Sequence, residues 1–72
     1  MEIVLNGQPR TVDLDPQTAT LEALIAALEM KQDRIAVERN GEIVRRTEWA
    51  TTVVQSGDRF EIVHFVGGGV WP

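Results

Sequence analysis

Asn-Gly occurs twice in this chain, at Asn6-Gly7 and Asn40-Gly41, and each pair sits between two short runs of strand-forming residues. A two-residue type I′ turn needs positive φ at both central positions, which Asn tolerates and Gly adopts freely, so each pair predicts a tight antiparallel hairpin. The first joins Glu2-Ile3-Val4-Leu5 to the run from Gln8 to Leu14. Pro9 lacks a backbone donor and suits an edge strand there, while Val12 and Leu14 alternate with Thr11 and Asp13 to give a dry face and a wet one. The second joins the run from Arg34 to Arg39 to that from Glu42 to Arg45.

Between the hairpins the period changes from two to 3.6. Leu21, Leu24, Ile25 and Leu28 fall at i, i+3, i+4 and i+7, which predicts an amphipathic helix from Thr20 to Met30 that packs its apolar stripe on the sheet. Thr20 is a suitable N-cap and Glu22 lies in the first turn, where a negative charge favours the helix. Thr47-Glu48-Trp49-Ala50 predicts one short helical turn with Trp49 covering the end of the core. Gln55-Ser56-Gly57-Asp58 is a turn that launches a last strand from Phe60 to Val66. In that strand Phe60, Ile62 and His64 share one face, and Glu61, Val63 and Phe65 share the other. Strands with one helix against one sheet face make an α+β two-layer domain, with a mixed sheet of four to five strands.

The last strand runs directly into Gly67-Gly68-Gly69, and only Val70-Trp71-Pro72 follow. Three successive glycines have no side chains to pack and are costly to order, which predicts a flexible tail, 67–72, on a domain spanning 1–66. The reach from Val66 to Gly69 is about 13–14 Å when extended, enough to enter a partner's pocket through a passage too narrow for larger residues.

Composition narrows the function classes. A 72-residue chain buries only about 60% of the surface its unfolded form exposes, and without cysteine neither a disulfide nor a thiolate zinc site supplements the core. A net charge of −4, with seven scattered Lys and Arg, argues against nucleic acid and for a basic protein partner. No apolar run approaches the roughly 20 residues that cross a bilayer and no leader pattern is present, so the expected location is cytoplasmic, away from membranes. His64 and Ser56 are the single residues of their kinds, and no nucleophile with a base and orienting group, and no metal-ligand spacing, is visible.

The hairpin Ala36-Val37-Glu38-Arg39-Asn40-Gly41-Glu42-Ile43-Val44, the segment Arg46-Thr47-Glu48-Trp49, and the strand Gly57-Asp58-Arg59-Phe60-Glu61-Ile62-Val63 leading into the glycines together resemble the ThiS-type sulfur carriers of thiamine thiazole biosynthesis. These belong to the ubiquitin-like β-grasp proteins. The related molybdopterin-synthase small subunits usually carry a proline-containing segment before their Gly-Gly, and Phe65-Val66-Gly67 lacks it. The resemblance implies a protein co-substrate rather than an enzyme. An E1-like adenylating enzyme would use ATP to activate Gly69, and a sulfur donor such as a cysteine desulfurase would leave a thiocarboxylate there for thiazole synthase. No bound cofactor or metal is implied. Gly67 and Gly68 would form the slender approach, Val63 and Phe65 a docking patch for the partners, and a processing protease would remove Val70, Trp71 and Pro72. The competing expectations are a carrier for molybdopterin or cysteine synthesis, and a non-covalent ubiquitin-like binding module with a blocked tail.

Overall fold

The computed structural model describes residues 1–65. Five strands form one mixed sheet: β1 (Glu2–Leu5), β2 (Gln8–Thr11), β3 (Ile35–Arg39), β4 (Glu42–Val44) and β5 (Arg59–His64), in the order β2-β1-β5-β3-β4. One helix, α1 (Leu21–Ala27), covers one face. The Gly-Gly tail expected at 67–72, and Val66 before it, lie outside the described residues.

Both Asn-Gly pairs turn as their chemistry requires. Asn6 and Gly7 have φ of 49° and 80°, and Asn40 and Gly41 have φ of 51° and 87°. β2 is an edge strand exposed along its whole length, as Pro9 allows, and the chain turns dry only at Val12, which is buried. β1 pairs β2 antiparallel, β3 pairs both β4 and β5 antiparallel, and β1 pairs β5 in parallel, Val4 beside Arg59 and Leu5 beside Phe60.

The N-terminus of α1 follows the sequence reading: Ala23 N–H donates to Thr20 Oγ1 at 3.1 Å. Leu21, Leu24 and Ile25 are completely buried, and each such side chain contributes about 1.5–3 kcal/mol of burial. The helix stops at Ala27, three residues before the apolar pattern does. Glu29 adopts φ 58°, the left-handed region, and its N–H donates to Ala26 C=O at 3.0 Å while Met30 N–H donates to Ile25 C=O at 3.2 Å. These two bonds are those of a Schellman cap, which glycine normally occupies. The left-handed region costs an L-residue about 1–2 kcal/mol, and glycine's greater freedom when unfolded offsets part of its advantage. Glu29→Gly is therefore expected to stabilise the domain by about 0.5–1 kcal/mol, read as a higher midpoint in thermal or urea unfolding; a lower midpoint would show that the cap is unstrained.

Two further boundaries differ from expectation. A 3-10 turn, Gln32–Arg34, takes Arg34 out of β3, and the helical turn after β4 falls at Arg46–Glu48, leaving Trp49 as its C-cap. Trp49 is buried and its Nε1–H donates to Val44 C=O at 3.0 Å, so a large apolar ring closes the core with its one polar atom satisfied.

Candidate functional site

β5 is the strand from which the glycines follow, and it is central. Phe60 and Ile62 point into the core beneath α1, at 1% and 5% exposure, and fix the strand against translation. Its start is set by a turn in which Asp58 N–H donates to Gln55 C=O at 3.0 Å with Gly57 at φ 88°, the position of a type II turn that requires positive φ.

Asp58 is the one buried charged residue among the described ones. Its carboxylate accepts from Arg39 Nε at 2.9 Å, Asn40 Nδ2 at 3.2 Å and Gln55 N–H at 2.8 Å. Burial pushes its pKa up, but the Gln55, Asn40 and Arg39 donors together outweigh that and hold it below the ordinary value of 3.8. Asn40 also accepts from Arg59 N–H through Oδ1 at 2.9 Å. The tip of the β3–β4 hairpin is thus bonded to the entry of β5.

The tip of the other hairpin holds the exit. Asn6 Oδ1 accepts from Ile62 N–H at 2.8 Å, and Asn6 Nδ2 donates to Ile62 C=O at 3.3 Å. The side-chain amide imitates one more residue of β1, extending the ladder after the β1 backbone has turned away. Both asparagines are legible in the sequence as turn residues; their grip on β5 is not, because the partners of Asn6 lie 56 residues further on.

The residues singled out from the sequence separate. Val63 is 52% exposed on the face away from α1, and Phe65 on the same side is half-buried, its N–H donating to Arg34 C=O at 2.8 Å. The apolar surface extends to a residue the sequence reading passed over: Ile43 on β4, 76% exposed. Val63 stands opposite Ala36, and Ile43 stands opposite Glu38, which in turn faces Glu61. A shallow groove runs between these strands, lined by Ala36, Glu38, Ile43, Glu61 and Val63. The signal for Ile43 was its parity: in a hairpin with Val37 and Val44 facing the core, Ile43 must face out.

Gly67, Gly68 and Gly69, and Val70, Trp71 and Pro72, lie outside the described residues. His64 is exposed at the end of β5 and Ser56 is exposed before its start, so the strand itself holds them apart. No group of three or more His, Asp or Glu among the described residues is arranged to hold a metal ion. No described helix is long and apolar enough to cross a membrane.

The family model described as the ThiS family matches residues 3–69. The chain is 37% identical over 65 residues to the sulfur carrier protein ThiS of Bacillus subtilis, covering 90% of this chain and 96% of that one. It is 40% identical over 72 residues, the whole of this chain, to a thiazole synthase of Magnetococcus marinus, of whose length it spans only 21%. Among solved structures, the crystal structure of the thiamine biosynthesis protein ThiS from Geobacter metallireducens superposes with a TM-score of 0.79 at 37% identity, over 96% of this chain and all of that one.

Proposed function

The chain belongs to the ThiS family, and from that premise we propose that it carries sulfur for formation of the thiazole of thiamine, as a thiocarboxylate on Gly69. The observation that carries the reading is that the family likeness runs through Gly69 and takes in the β5 strand that precedes it. The chain is then a protein co-substrate, acted on in the cytoplasm and not itself a catalyst.

The chemistry follows from the weakness of a free carboxylate as an electrophile. An E1-like adenylating enzyme, which binds the ATP, joins the Gly69 carboxylate to AMP with loss of pyrophosphate. The acyl carbon is then open to the outer sulfur of a persulfide on a donor of the cysteine desulfurase type; AMP leaves and an acyl disulfide remains, a second thiol attacks its donor-side sulfur to form a disulfide, and the thiocarboxylate is released for delivery to thiazole synthase. Gly67 and Gly68 give the tail a profile without Cβ atoms for entry into both active sites. In this sequence the Gly69 carbonyl is in a peptide bond to Val70, so a protease must first remove Val70, Trp71 and Pro72. The likeness to a segment of a thiazole synthase supports that enzyme as the acceptor.

Val63 and Phe65, extended by Ile43, supply the apolar docking patch. Glu38 and Glu61 face each other beside it with no cation among the described residues between them, so a partner surface that is apolar with a basic residue at its centre fits this face.

Intact-mass measurement tests the carrier reading. Full-length protein is incubated with extract of its own organism, ATP and a sulfur source. A species ending at Gly69 with one oxygen exchanged for sulfur is expected. A mass that stays full-length beside a working control carrier overturns the reading.

A further inference from the structure

Each Asn-Gly turn uses both polar atoms of its asparagine side chain. Asn6 meets Ile62 with both, Oδ1 accepting from the N–H at 2.8 Å and Nδ2 donating to the C=O at 3.3 Å. Asn40 Oδ1 accepts from Arg59 N–H at 2.9 Å, and Asn40 Nδ2 donates to Asp58 Oδ1 at 3.2 Å. Asp58 is itself fixed by Arg39 Nε at 2.9 Å and Gln55 N–H at 2.8 Å. The two amides thus hold β5 toward its two ends, and each is followed by a glycine.

That pairing of residues has a chemistry of its own. The main-chain nitrogen after an asparagine can attack the side-chain Cγ, and glycine, with no Cβ, leaves the approach open. The Cγ–N bond forms, the Cγ–Nδ2 bond breaks, and Nδ2 leaves as ammonia with the proton of the glycine nitrogen. Water then opens the five-membered imide to aspartate or to isoaspartate, in which the main chain runs through the former side chain. Among the described residues no atom lies within 4 Å of where a Cβ would stand on Gly7 or Gly41, so water reaches both turns.

Folding opposes the first step, because Cγ must turn its face to the glycine nitrogen while two hydrogen bonds hold the amide elsewhere. Folding also makes the product harmful. A carboxylate in place of the Asn6 amide has no hydrogen to give Ile62 C=O, and one in place of the Asn40 amide stands against the Asp58 carboxylate. We propose that Asn6 and Asn40 are deamidation sites gated by the grip of their own side chains on β5 and its entry turn. Each amide survives while that grip holds, is lost to water when it opens, and leaves a group that no longer restores it. The change is one-way, so it marks the age of a chain and loosens the strand that leads to the glycines, whatever the tail carries.

The full chain tests this. It is held at neutral pH, folded or unfolded in guanidinium chloride, and each site is followed by intact mass and by peptide mapping that separates aspartate from isoaspartate. Both sites are expected to convert in the unfolded chain and at least about tenfold more slowly in the folded one. Arg39→Ala removes one of the three donors that fix Asp58 and touches no partner of Asn6; the Arg39 side chain is 28% exposed, and its loss leaves the fold in place. It is expected to speed conversion at Asn40 about threefold relative to Asn6. Asn6→Asp and Asn40→Asp, which reproduce the aspartate products, are expected to lower the folded-to-unfolded ratio about three- to tenfold in urea titrations. Equal rates in the folded and unfolded chains, no conversion in either, equal acceleration of both sites by Arg39→Ala, or urea midpoints of both Asp variants at the parent value overturns the proposal.

Discussion

Phe60→Ala is expected to remove about 3–5 kcal/mol of stability, the range for deleting a fully buried Phe ring. At about 0.05–0.15 kcal/mol per residue, a 72-residue chain has roughly 4–11 kcal/mol in all. The loss therefore takes between about a quarter of it and all of it. Phe60 is 1% exposed and stands on the one strand that β1 and β3 share, so its cavity opens where the two halves of the sheet meet. Urea unfolding should show a midpoint shifted far down or a transition missing at 37 °C. Val63→Ala, on the opposite face of the same strand and half exposed, should fall within about 0.5 kcal/mol of the parent. Similar losses for the two would mean that β5 is not anchored through its inner face.

Asp58→Ala is the second large effect, expected at about 2–4 kcal/mol, because it strands three donors at once: Arg39 Nε, Asn40 Nδ2 and Gln55 N–H. It also carries a pH signature. The folded-state pKa of Asp58 lies below its ordinary 3.8, so the ionised form is favoured by folding. The stability it contributes is present in full above the unfolded value and is lost as pH falls through the lowered folded value. The parent should lose stability between about pH 4 and the lower folded value, and Asp58→Asn should lose less over that interval. Urea midpoints taken across the range check this. Parallel pH profiles for the two proteins would remove Asp58 as a source of acid sensitivity.

Much of the architecture is legible from local chemistry. Both hairpins are announced by Asn-Gly, the edge placement of β2 by Pro9, and the start of α1 by Thr20. What escapes is whatever depends on distant partners or on an unusual residue in a common role. The apolar pattern continues through Leu28 and Met30, so α1 reads longer than it is; the chain leaves the helix at Glu29, where a glycine would have signalled the stop. Asn6, Asn40 and Asp58 read as turn formers, and their bonds to β5, its turn and one another appear only when the sheet is assembled. At the site, Val63 is exposed as its parity predicts, whereas Phe65 is half-buried and Ile43 was unmarked. The glycines that carry the functional reading, Gly67 to Gly69, are legible by resemblance and lie beyond the described residues.

The central place of β5 has a consequence for synthesis. The first four strands emerge from the ribosome as two hairpins, β1–β2 and β3–β4, and the strand that joins them is made last. Until Ile62 is available, Asn6 lacks its partner, β1 and β3 have no common neighbour, and the cavity beneath α1 lacks Phe60. Closure of the sheet is a long-range step that waits for nearly the whole domain. An interrupted translation product that stops short of Phe60 is left as unjoined hairpins with an open core, a form for proteolysis to clear.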